Sequence, residues 1–135
     1  MPTFQYNKLV RDNIPAFHRK NGHIVTGRTI SGAELLTALC QKLHEEADEV
    51  EAALSRTELL EEIGDVQQII NDLCALQNIS SQELKAAMKQ KSDRKGGFQK
   101  GEYIETVTIA DDTDQWVAYC RKNPHKYPEV TEVSE

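Results

Sequence analysis

Ser31, Ser55 and Ser80 are each followed three residues later by a glutamate, Glu34, Glu58 and Glu83, and each opens a run with apolar side chains at helical spacing. In such a pair the hydroxyl and the carboxylate satisfy, reciprocally, backbone N–H groups that the first turn of a helix leaves without partners. This punctuation predicts three helices, from about Gly32 to Leu54, Arg56 to Gln77 and Ser81 to about Arg94. With links this short, consecutive helices run antiparallel. Leu36, Leu39, Leu43, Ala47, Val50 and Leu54 form one apolar stripe, and Leu59, Ile63, Val66, Ile69, Ile70 and Leu73 a second. The two stripes are expected to meet.

Against that pattern stand two acidic clusters, Glu45-Glu46-Ala47-Asp48-Glu49 on the first helix and Glu61-Glu62-Ile63-Gly64-Asp65 on the second. Glu46 with Glu49, and Glu62 with Asp65, are three residues apart, which puts each pair on one side of its helix about a turn apart. Glu46 falls at the margin of the first apolar stripe, and Glu62 inside the second, between Leu59, Val66 and Ile69. An ionised carboxylate on a core-facing stripe is costly unless it is paired or bound to a metal. Four acids facing one another repel, and hard oxygen donors select Mg²⁺, Mn²⁺ or Ca²⁺. The spacing therefore predicts a metal site at Glu46, Glu49, Glu62 and Asp65, whereas Glu45, Asp48, Glu51 and Glu61 read as solvated helix surface.

The remaining motifs have plain structural readings beside functional ones. Lys89 to Phe98 carries basic side chains on one helix face and then Gly96-Gly97; it suits phosphates, and it equally suits an ordinary helix C-terminus, where cations and glycine are favoured. Lys8, Arg11 and Asp12 form either a phosphate-directed set or a structural ion network. The four histidines lie beside no nucleophile motif, so triad chemistry has no support. Cys40, Cys74 and Cys120 lack zinc-ligand spacing and even pairing, and read as reduced packing residues. Segments 23–26 and 103–109 are rich in β-formers, the second alternating, so a small β element beside the helices is expected. Short helices are expected around 16–20 and 114–122, with a polar tail beyond.

A chain of 135 residues fits one domain. Its formal charge of −6 argues against general affinity for nucleic acid or for an anionic membrane. With no signal-like N-terminal pattern and no apolar run of bilayer length, a cytoplasmic protein is the simplest reading. The exposed apolar stripes suggest self-association, a homodimer first and a homotetramer second.

Taken in order, Glu45-Glu46-x-x-Glu49 and Glu62-x-x-Asp65 resemble the EExxE…ExxD signature of the all-α nucleoside triphosphate pyrophosphohydrolases, the MazG-like and phosphoribosyl-ATP pyrophosphohydrolase-like group. Tyr6 to Pro15, reading YNKLVRDNIP, and Arg94-Lys95-Gly96-Gly97-Phe98 resemble a small branch of that group opening with KLVRD-x-IP. The resemblance spans roughly residues 6–105. It implies a mainly α, all-α pyrophosphohydrolase-like helical bundle over residues 1–110, completed by oligomerisation, with 111–135 as a C-terminal extension. It also implies Mg²⁺, or Mn²⁺, on Glu46, Glu49, Glu62 and Asp65. Glu45 or Glu49 is then the catalytic base, and Lys91 and Arg94 hold phosphates; Lys8 and Arg11 match the branch signature and join the phosphate-binding candidates. Relatives often space the two basic residues as KxxxR, whereas here Lys91 and Arg94 are separated by two.

The implied reaction is Mg²⁺-dependent cleavage of a nucleoside triphosphate between the α- and β-phosphates, giving a monophosphate and pyrophosphate. Alternatives are hydrolysis of phosphoribosyl-ATP, a non-catalytic nucleotide-sensing module, and a helical adaptor without ligand. Phe98, Tyr103 and Trp116 are candidates for stacking on a base, though aromatics are more often packing groups.

Overall fold

A computed structural model describes residues 1–131. Five helices account for the regular structure among them: α1 (Ile14–Lys20), α2 (Gly32–Ala52), α3 (Arg56–Leu76), α4 (Ser81–Lys95) and α5 (Gln115–Lys122). The fold is mainly α-helical. No described helix is long and apolar enough to cross a membrane. The chain divides into two compact units, Met1–Lys95 and the part from Gly96 onward, and the division falls at the end of α4.

In the first unit α2 and α3 pack on one another. Only the short link 53–55 joins them, which makes them an antiparallel hairpin. Folding at Leu54 brings level the residues equidistant from it. Leu39 and Ile69, each fifteen residues away, are the buried apolar side chains of the unit. The stripes meet there, but toward the link the second stripe is left open: Leu59 and Ile63 are exposed, Ile63 by half, and so is Leu60 beside them.

The capping expectations have three outcomes. At Ser80 the box is complete: Glu83 N–H donates to the Ser80 hydroxyl at 3.1 Å, and Ser80 N–H to the Glu83 carboxylate at 2.9 Å. Ser55 accepts from Glu58 N–H at 3.1 Å, while the Glu58 carboxylate reaches one residue further back, to Leu54 N–H at 2.9 Å. Ser31 makes no cap bond, and the Glu34 carboxylate that would complete a box is engaged by Arg28 from outside the helix. Helix α4 is well capped yet contributes no buried residue.

Helix α1 starts at Ile14, with Pro15 in its first turn, where a missing N–H costs nothing. It ends in a Schellman motif: Gly22 takes φ +76°, and N–H groups of Gly22 and His23 donate to the carbonyls of Arg19 at 3.0 Å and His18 at 2.9 Å.

In the second unit, α5 begins at Asp114, whose carboxylate caps Trp116 N–H at 2.8 Å. Arg121 on α5 grips Glu129 through two hydrogen bonds, at 2.8 and 3.2 Å. Trp116, Tyr119 and Tyr127 form a run of edge-on and tilted rings with centroids 5.4 and 5.9 Å apart.

The expected β element is absent among the described residues: 23–26 and 103–109 are irregular chain. Ile24, Tyr103, Ile104 and Val107 are exposed, so neither segment has an apolar face to bury, and an alternating pattern without a surface to cover gives no reason to pair.

Candidate metal centre

Hairpin geometry positions the acids. Glu46 on α2 and Glu62 on α3 each stand eight residues from Leu54, so they come level, and Asp65 lies about one turn further along α3. One carboxylate oxygen from each of Glu46, Glu62 and Asp65 lies within 4.8 Å of the others. The Glu46 side chain is 12% exposed and Glu62 and Asp65 are half-buried, so these charges are only partly hydrated. Glu49 is exposed and outside the group of three, yet close enough for its charge to act on Glu62.

The electrostatic consequence falls on Glu62. Desolvation first, then a hydrogen bond with Glu46 and the negative charges of Glu49, Glu46 and Asp65, pushes its carboxyl above the usual range. With Glu62 those are the four acids that spacing singled out, and the other three act on Glu62, Glu46 and Glu49 from across the hairpin and Asp65 from its own helix. Three hard oxygen donors from two rigid helices fit a small divalent cation: opposite ligands of one ion lie about 4 Å apart for Mg²⁺ and about 5 Å for Ca²⁺. Oxygens up to 4.8 Å apart could hold such a cation, and the set contains none of the sulfur or imidazole that softer metals prefer.

Cations ring the outer oxygens. Lys42, one turn before Glu46 on α2 and only 18% exposed, donates to Glu45 Oε2 at 3.1 Å and lies 3.8 Å from Glu46 Oε1. From the N-terminal arm, Lys8 donates to Glu45 Oε1 at 3.3 Å and Arg11 to Asp65 Oδ1 at 2.5 Å. The arm thus straddles the hairpin, with Lys8 on α2 and Arg11 on α3. The Lys42 hydrogen bond leads in holding the Glu45 carboxyl below its usual range; burial opposes it and Lys8 reinforces it.

Lys8 and Arg11 are therefore seated on acids, the ion-network side of their two readings. Lys91 and Arg94 stand exposed in the last turns of α4, and no hydrogen bond or ion pair ties them to the acids among the described residues. Phe98 and Tyr103 are exposed, and Trp116 packs edge-on against Tyr119. Spacing did not single out Lys42; its place four residues before Glu46 was the available signal, since cations and acids at that interval share a helix face.

Comparison with protein-family models, with curated proteins and with solved structures returns no match to this chain.

Proposed function

We propose that this protein is a magnesium-dependent nucleoside triphosphate pyrophosphohydrolase of the MazG-like type, cleaving the α–β anhydride bond to release a monophosphate and pyrophosphate. The observation that carries the reading is the convergence of Glu46, Glu62 and Asp65 carboxylate oxygens within 4.8 Å across two helices. The order of acids along the chain, which resembles that family's, supports it as well. Magnesium held by these three would neutralise triphosphate charge and acidify a bound water.

The chain's own residues divide the other tasks. Glu49 is the better general base: its charge acts on Glu62 and, among the described residues, it carries no hydrogen bond from a cation, whereas both oxygens of Glu45 accept from lysines and its basicity is reduced. Glu49 takes the proton of the attacking water as the α–β bond breaks and pyrophosphate departs. Arg11, with donors beyond the one spent on Asp65, and Lys42, half-buried beside Glu45 and Glu46, face the phosphates' charge; Lys91 and Arg94 complete the grip from α4. A second copy of the chain covers Leu59, Leu60 and Ile63 of α3 and Met88 of α4, completing the bundle as a homodimer.

The test is pyrophosphate release from a panel of canonical and modified nucleoside triphosphates, with phosphoribosyl-ATP included, in Mg²⁺ and in chelator. Turnover that needs Mg²⁺, falls about a hundredfold or more in Glu49→Gln and falls far less in Glu45→Gln is expected, the scale being that of losing a general base. No turnover on any substrate, or equal rates in Glu49→Gln and wild type, rejects the proposal.

A further inference from the structure

The C-terminal cap of α1 presents a second set of donors, of different chemistry. A Schellman motif brings the side chain three positions before the cap against the one two positions after it, and that pair is ordinarily apolar. Among the described residues the motif occurs twice. At the end of α3, Asn78 takes φ +55°, Ile79 N–H donates to the Cys74 carbonyl at 2.8 Å and Asn78 N–H to that of Ala75 at 3.3 Å, so the juxtaposed side chains are Cys74 and Ile79. At the end of α1 the same two backbone bonds bring together His18 and His23, which share a hydrogen bond between their Nδ1 atoms at 2.9 Å; an ion bound there takes the place of the shared proton, which moves to Nε2 of its own ring. Two imidazoles occupy the place of a hydrophobic contact.

Their surroundings hold them there. The ring of His18 packs edge-on against Tyr6 and Phe17, with centroids at 5.9 and 5.5 Å. Asn21 donates from its side chain to the Phe17 carbonyl at 2.8 Å, tightening the turn. His23 is exposed on that turn, so its ring can rotate to aim its lone pair. The negative end of a helix favours a cation at this position, and Arg19 and Lys20 of the same last turn are the charges that oppose one.

We propose that His18 and His23 form a bidentate imidazole site for a borderline transition-metal ion with tetragonal preference, copper(II) or nickel(II), separate from the carboxylate centre. With metal–nitrogen bonds of about 2.0–2.1 Å, neighbouring ligands of a tetragonal or square-planar ion stand about 2.9 Å apart and those of tetrahedral zinc about 3.3 Å, so rings already 2.9 Å apart at Nδ1 need only turn towards the ion, without separating, to take the tetragonal arrangement. Water completes the remaining positions. One backbone motif sets both imidazoles, so the second nitrogen binds at high effective concentration once the first is engaged.

The experiment is titration of the full-length protein with copper(II), followed by electron paramagnetic resonance for nitrogen coupling and by calorimetry for affinity. The variants are His18→Gln, His23→Ala, Gly22→Val and, as controls, His125→Ala and Asp65→Asn. One equivalent coordinated by two imidazole nitrogens is expected. His18→Gln and His23→Ala should each leave a single-nitrogen signal and weaken affinity about tenfold or more. Gly22→Val keeps both ligands but strains the left-handed turn, and should weaken binding as well; the two controls should leave the two-nitrogen signal intact. Because His23 is exposed, its variant keeps the fold, which circular dichroism verifies. A two-nitrogen signal that survives His23→Ala, one that disappears in His125→Ala, or wild-type binding no tighter than that of His23→Ala overturns the proposal.

Discussion

Asp65 is the one acid that belongs both to the three-carboxylate group and to an ion pair with the arm, so changing it to asparagine separates two effects of different size. The Arg11–Asp65 pair is more than a third exposed on both sides, 59% and 35%, and pairs so placed are worth about 0.2–1 kcal/mol after solvent screening. Neutralising Asp65 also relieves repulsion with Glu46 and Glu62, so with chelator present Asp65→Asn should change stability by less than about 1 kcal/mol. Metal linkage is the larger effect. At a Mg²⁺ concentration a hundred times its dissociation constant, binding stabilises the wild type by about 2.7 kcal/mol; a tenfold weaker site at the same concentration retains about 1.4, and a hundredfold weaker one about 0.4. For a unit of this size 1 kcal/mol moves the midpoint by about 4–8 °C, so the wild-type increment is about 10–20 °C and that of the variant about half as much for a tenfold weaker site and about a sixth for a hundredfold weaker one. Thermal unfolding of wild type, Asp65→Asn, Arg11→Ala and the double variant, each in chelator and in Mg²⁺, measures every quantity. Arg11→Ala should keep most of the Mg²⁺ increment. An increment as large in Asp65→Asn as in wild type would refute the assignment of Asp65 to the metal, whatever the fate of the ion pair.

Three further outcomes follow from the packing and charges. Leu39→Ala removes a side chain that is 5% exposed at the α2–α3 contact and should cost about 2–5 kcal/mol in chemical denaturation; a loss below about 1 would mean that the contact does not hold the hairpin. Ser80→Ala removes one half of the complete capping box and should cost about 0.5–2 kcal/mol, read as faster amide hydrogen exchange confined to the start of α4; unchanged exchange there would rule out the box as its anchor. The hydrogen bonds from Arg121 hold the Glu129 carboxyl below its usual range. A lowered folded value means that the pair's contribution is present above the ordinary carboxylate range and is lost as pH falls through the lowered one. Carboxyl chemical shifts of Glu129 should therefore titrate low in wild type and return to the ordinary range in Arg121→Ala, and coincident curves would exclude the pairing.

What was legible in the sequence was local. The extents of α2, α3 and α4 follow from Ser31, Ser55 and Ser80 and from helical periodicity, because both signals act within a few residues. The level placement of Glu46 and Glu62 needs one more fact, a short link centred on Leu54, and that too can be read along the chain. Reading failed where a distant partner decided the outcome. Even six residues are enough: Arg28 takes the Glu34 carboxylate, so the reciprocal half of a box at Ser31 does not form. Residues 103–109 alternate as a strand would but have no surface to cover. Lys8 and Arg11 reach acids 37 and 54 residues away, contacts that no spacing encodes. The His18–His23 contact is intermediate: His, three residues, then Gly-His is visible, but its meaning appears only when Gly22 adopts the left-handed conformation.

The arrangement of charge explains why the acids tolerate one another at all. Five carboxylates, Glu45, Glu46, Glu49, Glu62 and Asp65, touch or repel one another at the linked end of the hairpin, and three cations, Lys8, Arg11 and Lys42, lie against them. The difference is two negative charges. The cations do not spread evenly: they bond both oxygens of Glu45 and Oδ1 of Asp65, while Glu62 receives no cation and responds by holding its proton more tightly. Uncompensated charge is therefore concentrated on the oxygens that face inward between α2 and α3. A monovalent cation there would leave half of it unbalanced, and a lysine would need apolar stem volume between Glu46 and Glu62. On the proposed function a compact divalent ion would answer both constraints and would reconcile a carboxylate at Glu62 with a stripe that otherwise reads Leu59, Val66 and Ile69.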